Sequence, residues 1–367
     1  MQIVLMVLVV LVLVRIQAWW YKRHWEHGLE IDIRFSAEHA VEGDRLYLTE
    51  VITNAKLLPL PWLQAKFQIS ANLRFDAEAH MAVGDGNHKN ELFHAGPNRR
   101  ITRTQGFICA QRGLYSLRDA TLTAQDLLMT RRMSCVRPCH GHLIVYPAAV
   151  PFEELEPAYR MMMGTVRARR FIQPDPFEFR GIRGYEPTDS LRDVNHKASA
   201  KQGELMVNLH APTTTQNVTL WLNTQDYATR PLPRLYESGI RLAAAFGERF
   251  LTEGLSFALK TGAMNTVLPG TRLDVPSGAG LPHLSNVLEA LALLDLAQPP
   301  ADLIPLLSAE ASDDDVHILI STYDGEDLQA AVGALREKGA EVFWILPLTH
   351  EIRVRVSPSR ECVFWYV

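Results

Sequence analysis

Two stretches of this sequence concentrate side chains able to do chemistry. Cys135-x3-Cys139-His140-x-His142 gathers two thiols and two imidazoles, the soft donors that hold zinc. Zinc sites usually separate two ligand pairs by a longer span, so this compact spacing predicts a turn with incidental cysteines leading into a strand. The second stretch runs from Glu178 to Glu204. Arg180, Arg183, Arg192, Lys197 and Lys201 stand there among Glu178, Glu186, Asp189, Asp193 and Glu204, five cations against five anions. A balanced sign favours internal ion pairs over an anion-binding patch, and the arginine fork suits bidentate pairing with carboxylates. The expected role is a hydrogen-bonded plug that locks a linker onto a following α/β sheet, with a partner-docking surface as the alternative.

Catalytic signatures are missing from the sequence. It has no Gly-x-x-x-x-Gly-Lys-Ser/Thr phosphate loop, no Gly-x-Ser-x-Gly elbow and no His-Glu-x-x-His pair. Gly278-Ala279-Gly280 lacks the third glycine of a dinucleotide fingerprint and does not follow an apolar strand. No catalytic residue and no enzymatic activity are expected, and any ATP hydrolysis falls to a partner.

The elements that carry these residues follow from periodicity. Leu29, Ile31, Ile33 and Phe35 alternate with Glu30, Asp32 and Arg34, the period of a half-buried strand. Arg45 to Asn54 alternates again through Leu46, Leu48 and Val51, after a turn at Glu42-Gly43-Asp44. Leu58-Pro59-Leu60-Pro61-Trp62-Leu63 must be extended, because proline biases its predecessor away from the helix. Further strand-like runs cover Ile101–Cys109, Gly113–Leu117, Ala120–Ala124 and His142–Tyr146, which predicts a small β-sandwich over 25–147. A proline-rich stretch, 148–216, reads as linker and charged motif. From Asn217 the period changes. Strands at Val218–Leu222, Ser256–Lys260, Val316–Ser321 and Glu341–Leu346 alternate with helices at Arg234–Glu253, Leu281–Leu296 and Leu328–Lys338. That alternation predicts a largely parallel sheet covered on both faces over 217–367.

The N-terminus sets the expected location. Ile3 to Val14 is unbroken apolar sequence, and Trp19-Trp20-Tyr21 resembles an interfacial aromatic belt. Ile3 to Tyr21 makes a helix of about 28 Å, close to hydrocarbon thickness, and Arg15 is within snorkelling reach of the belt. A signal peptide would carry a basic flank before the apolar run and small residues after it; the bulky Trp19-Trp20-Tyr21 argues instead for a membrane anchor over 1–24. Lys22, Arg23 and His24 follow the span, so the positive-inside rule predicts a single-pass protein of the inner membrane with the bulk of the chain cytoplasmic. In 367 residues the net charge is −4, which disfavours nucleic acid as a partner. The 4 cysteines exclude a disulfide scaffold. The fold class expected is α+β and multidomain: membrane helix, β-sandwich, then an α/β domain.

The charged motif, Phe179-Arg180-Gly181-Ile182-Arg183-Gly184-Tyr185-Glu186-Pro187-Thr188-Asp189-Ser190-Leu191-Arg192-Asp193-Val194-Asn195-His196-Lys197-Ala198-Ser199-Ala200-Lys201, closely resembles the signature of the domain-of-unknown-function-58 family. Leu60-Pro61-Trp62, Arg112-Gly113-Leu114-Tyr115 and Val145-Tyr146-Pro147 extend the resemblance. Thr188 stands where the family has glycine, His196 where it has tryptophan and Lys201 where it has arginine. The resemblance implies a membrane-anchored protein associated with a MoxR-type AAA+ ATPase and with transglutaminase-like membrane proteins. It also implies a C-terminal region similar to von Willebrand factor A domains (Rossmann-like), and a role in protein–protein interaction or assembly. Arg183, Tyr185, Asp189, Arg192 and Lys197 are the candidate partner-binding residues of the motif.

Domains similar to von Willebrand A hold a divalent ion on an Asp-x-Ser-x-Ser turn. The matching turn here is Asn223-Thr224-Gln225-Asp226-Tyr227, with Asn223 in place of the aspartate and Gln225 and Tyr227 in place of the serines. Mg²⁺ and Ca²⁺ need oxygen ligands, preferably charged, so this degenerate set predicts no stable metal and no cofactor, even with Asp226 and Asp324 near. Two alternatives remain in view: a metal-assisted hydrolase at that turn, and an extracytoplasmic adhesion module.

Overall fold

The computed structural model describes residues 2–76, 88–172, 174–187, 189–212, 217–225, 233–312, 315–349, 354–359 and 361–367. They belong to two units, Met1–Ala148 and Ala149–Val367.

The first unit opens with helix α1 (Gln2–His24), followed by strands β1 (Leu29–Phe35), β2 (His39–Val41), β3 (Arg45–Asn54), β4 (Leu60–Gln68), β5 (Leu73–Phe75), β6 (His88–Ala95), β7 (Arg99–Cys109), β8 (Gly113–Gln125) and β9 (Arg132–Tyr146). One sheet runs β1-β3-β7-β5 and the other β2-β9-β8-β4-β6. All neighbours are antiparallel except β2 and β9. Ile33, Leu48 and Phe107 from the first sheet pack with Phe67, Leu117 and Leu143 from the second, the interleaved core of a sandwich.

α1 is long and apolar enough to cross a membrane. It is not a separate rod, however. Ala18 and Tyr21 are buried, Tyr21 packs with Trp25 against Leu58, Leu60 and Phe93, and Tyr21 Oη donates to Pro59 O at 3.0 Å. The last turns of the expected anchor are thus part of the sandwich core. Two strand expectations also change. Gly113–Leu117 and Ala120–Ala124 are one strand, β8, paired along its length with β9. The Cys135–His142 cluster is no turn: it lies inside β9, because burial alternates along it as the period of a strand requires.

The second unit contains α2 (Phe152–Ile172), β10 (Pro174–Gly184), α3 (His196–Gln202), β11 (Met206–Pro212), β12 (Asn217–Asn223), α4 (Pro233–Thr252), β13 (Ser256–Thr261), β14 (Met264–Asn265), β15 (Val275–Gly278), α5 (Leu281–Ala292), β16 (Leu294–Asp295), α6 (Leu303–Glu310), β17 (Val316–Ser321), α7 (Glu326–Glu337), β18 (Glu341–Leu348) and β19 (Cys362–Tyr366). Its main sheet has the order β15-β13-β12-β17-β18-β19. Every neighbouring pair is parallel except β13 with β15. β12 and β17 are buried almost throughout, as expected of central parallel strands. α2, α4 and α5 pack Tyr159, Met162, Phe246, Phe250 and Val287 against Val218, Leu220, Ile318 and Ile320. α6 and α7 pack Leu303, Leu307, Leu328 and Val332 against Trp221, Leu319 and Trp344.

The linker expectation for 148–216 therefore fails over α2. Leu155, Ala158, Tyr159 and Met162 recur at helical spacing and join the core, while Pro157 faces solvent in the second turn. Its missing N–H costs one hydrogen bond near the helix start, which the burial of that apolar stripe offsets. At the end of α4, Gly254 adopts φ +77, the left-handed conformation that closes a helix. Inside α4, a Cβ at Gly247 would lie 3.3 Å from both Phe257 and Val287, so glycine lets the helix approach β13 and α5.

Candidate functional site

The order in which strands are added to the main sheet reverses between β12 and β17: the chain builds outward from β12 through β13 to one edge, then crosses to β17 on the other side. Ligands of open α/β sheets bind outside the carboxyl ends of the strands at such a switch point. Asn223 and Ser321 end these two strands and stand opposite each other in register. Asn223 Nδ2 donates to Ser321 Oγ at 3.1 Å, and its Oδ1 accepts from Gln225 N at 3.0 Å. Gln225 in turn reaches α6: its Nε2 donates to Asp302 Oδ1 at 3.3 Å and its Oε1 accepts from Leu303 N at 3.3 Å. Asp302 is the N-cap of that helix. Thr224 is buried, and its hydroxyl has no hydrogen-bond partner among the described residues.

The carboxylates near this turn have other work. Asp324 accepts from Arg355 N. Asp327 accepts from Tyr323 Oη at 2.6 Å, which holds the Asp327 carboxyl below its ordinary range and pushes the Tyr323 phenol up to about 12. Among the described residues no group of three or more His, Cys, Asp or Glu side chains is arranged to hold a metal ion. The described residues of the turn, Asn223, Thr224 and Gln225, offer only neutral amides and a hydroxyl, a poor match to a hard cation. Asp226 and Tyr227 lie outside the described residues.

The signature segment forms a second site. β10 and β11 pair antiparallel, and the chain between them folds back as a 3-10 turn (Leu191–Asp193) and α3. Arg183 grips Asp189 with both guanidinium nitrogens, Nη1 to Oδ2 at 2.7 Å and Nη2 to Oδ1 at 2.6 Å. Asp189 Oδ2 also accepts from Glu186 N at 2.8 Å. The guanidinium beside it, with that backbone bond, holds the Asp189 carboxyl below the usual range. Asn195 caps α3 by accepting from Ala198 N at 2.9 Å and ties it to β11 through Asn208 Oδ1 at 2.7 Å. Ser199 Oγ accepts from Met206 N at 2.8 Å. These bonds close the segment on itself; the Arg183–Asp189 fork folds a turn and does not bridge to the main sheet, as a plug would. Tyr185 is half-buried and its N–H donates to Leu205 O at 2.8 Å. Arg192 and Lys197 are exposed, as are Lys201 and the apolar Phe179, Leu191 and Leu205.

The cysteine–histidine cluster does not converge. Cys139 is buried and Cys135 half-buried, while His140 and His142 are exposed. Burial pushes the Cys139 thiol up to about 11, so it stays protonated at neutral pH, and the thiolate is the metal ligand.

One group of charges was missed by pattern reading. Glu50, Lys89 and Glu91 are buried within the sandwich. Lys89 Nζ donates to Glu50 Oε1 at 2.7 Å and lies 3.6 Å from Glu91 Oε1, while Arg103 pairs with the other Glu91 oxygen. Burial, outweighing Lys89, pushes the Glu50 carboxyl up. The signal was present: Glu50 falls between Leu48 and Ile52 in the inward register of β3.

No protein-family model and no curated protein matches the chain. Solved structures similar to part of it include a CARDB domain from Pyrococcus furiosus, at 15% identity over 32% of this chain and 91% of that one, with a TM-score of 0.21. Others are the second type II cohesin module of the ScaA scaffoldin of Acetivibrio cellulolyticus (10% identity, 33% and 95% coverage, TM-score 0.23) and a non-cellulosomal cohesin from Archaeoglobus fulgidus (14%, 35% and 96%, 0.24).

Proposed function

We propose that this chain is a membrane-tethered protein-interaction module with no catalysis of its own, and that its signature segment docks a MoxR-type AAA+ ATPase at the cytoplasmic face of the inner membrane. A transglutaminase-like membrane protein is a further partner under the same resemblance. The observation that carries the reading is the segment between β10 and β11. Arg183 and Asp189 satisfy one another within it, yet Arg192, Lys197, Leu191 and Leu205 remain in solvent. Exposed apolar side chains interspersed with cations are the composition of a recognition surface. Lys22 and Arg23 at the end of α1 support the cytoplasmic orientation.

The second unit is, on this proposal, a von Willebrand-A-like domain that has lost its ion. The sheet order, with an antiparallel strand at one edge, supports the domain; the neutral Asn223–Ser321 contact supports the loss. One observation favours the metal-assisted alternative: the buried Thr224 hydroxyl, unpaired among the described residues. A thermal-shift titration with Mg²⁺ separates the two, since an ion bound to the native state raises its melting temperature. The docking reading is tested by capturing the purified MoxR-type ATPase of the same cells on the detergent-solubilised full chain. Capture is expected; no capture with or without nucleotide contradicts it.

A further inference from the structure

The hairpin tip between β8 and β9 carries Leu127, Leu128 and Met129 in succession, each more than half exposed. Two exposed arginines, Arg131 and Arg132, follow at once. The tip is a rigid turn. The buried Asp126 accepts from Thr130 Oγ1, and from Arg131 N at 3.0 Å, and its carbonyl accepts from Met129 N at 2.9 Å. Exposed apolar side chains held on an ordered turn need a reason.

α1 supplies one. With the Gln17 amide oriented to satisfy both neighbours, its nitrogen donates to Asp126 Oδ2 at 3.2 Å and its oxygen accepts from Leu127 N at 3.1 Å. The tip therefore sits at the level of Gln17 on the helix. Trp19 and Trp20 are exposed on α1, and such rings gather at the membrane–water interface of a crossing helix. Gln17 lies on the membrane side of both, only about 3 Å up the helix axis from Trp19 at about 1.5 Å per residue, and whatever is bonded to it must share its depth.

We propose that Leu127-Leu128-Met129 is a second membrane-contact element, immersed in the interfacial layer of the bilayer that α1 crosses, with Arg131 and Arg132 at the headgroup phosphates. The tip fixes how the sandwich stands on the membrane, because two points of attachment, α1 and the tip, remove the freedom to swivel about the helix. An apolar tip flanked by cations is matched to an anionic lipid surface. The inference rests on the membrane-anchoring reading of α1.

The full chain, with the half-buried Cys135 replaced by serine, is reconstituted in nanodiscs of phosphatidylcholine and phosphatidylglycerol. A nitroxide is attached in turn at Leu128→Cys, at Leu8→Cys on α1, and at Tyr47→Cys, exposed at the end of β3 remote from Asn54. Accessibility to oxygen and to a water-soluble nickel chelate reports depth. The label at 8 should be shielded from nickel, the label at 47 open to it, and the label at 128 several-fold less accessible than that at 47. If 8 is immersed while 128 is as open as 47, the tip is a water-facing loop and the inference fails with the anchor intact. If 8 is itself open to nickel, the anchoring reading fails and takes the inference with it.

Discussion

Both units bury polar groups, but of different kinds and in different places. In the sandwich the buried groups include full charges, Glu50, Lys89 and Glu91, locked between the sheets beside the rings of Phe67 and Phe75, with the half-buried Arg103 closing the group over Phe93. In the α/β unit they are neutral: Asn223 on Ser321, and Trp221 Nε1 donating to His317 Nδ1 at 3.2 Å. The charges are enclosed by strands. The neutral contact sits where an open sheet of this kind binds ligands. Position and charge are therefore inverted relative to a metal-dependent site, which would put its anions at the strand ends.

Removing a buried charge from the sandwich should have the largest effect. Lys89→Met strands the buried Glu50 carboxylate, while Glu91 keeps Arg103 and Gln105, and should cost about 3–5 kcal/mol, read by urea unfolding. Changing Glu50→Leu and Lys89→Met together should cost less than the sum of the two single changes. Additive losses would mean that the ion pair does not organise the sandwich interior. The corresponding change at the neutral site should be smaller. Asn223→Ala leaves Ser321 bonded to Tyr323 and should cost about 1–3 kcal/mol. Millimolar Mg²⁺ should leave the melting temperature of wild type and variant alike unmoved; a rise confined to wild type would restore a metal to the switch point.

A third test uses Lys56, whose ammonium nitrogen is buried without a hydrogen-bond partner among the described residues. Burial lowers its pKa from 10.5 to about 8. The unfolded chain thus holds the proton over a pH range where the folded chain has released it, so this group's contribution to stability rises with pH from about 8 to 10.5. Lys56→Met should stabilise the protein at pH 7 by about 1–2 kcal/mol, a shift of this size discounted for the half-exposed stem. The advantage should shrink as pH climbs through that window. A melting-temperature difference that is flat with pH would show that the amine is solvated.

How legible all this was depends on which force set each element. β12 and β17 were readable because central parallel strands are continuous apolar runs. β1 and the start of β3 were readable by alternation. α2 was not, because Pro147, Pro151, Pro157, Pro174 and Pro176 read as breakers; only the packed core shows that Leu155, Tyr159 and Met162 outweigh Pro157. α6 was hidden in the same way, with Pro305 inside it. Glu50 escaped because a charge in an inward register looks like the end of a pattern until Lys89 arrives from a distant strand. At the signature segment, the balance of charges announced internal pairing and the structure brings Arg183 to Asp189. What sequence could not reveal was the direction of that pairing: it closes a turn and leaves the flanking cations outside.

The docking claim is tested most directly at those cations. Arg192→Glu with Lys197→Glu changes two exposed side chains that make no side-chain hydrogen bond or ion pair among the described residues, so the melting temperature should stay at the wild-type value. Arg183→Ala opens the turn and should lower it. Binding of the purified MoxR-type ATPase to the full chain in nanodiscs, measured on the same samples, should fall at least about tenfold for the double charge reversal. Wild-type affinity in a stably folded double variant would contradict the account and return the segment to a purely structural role.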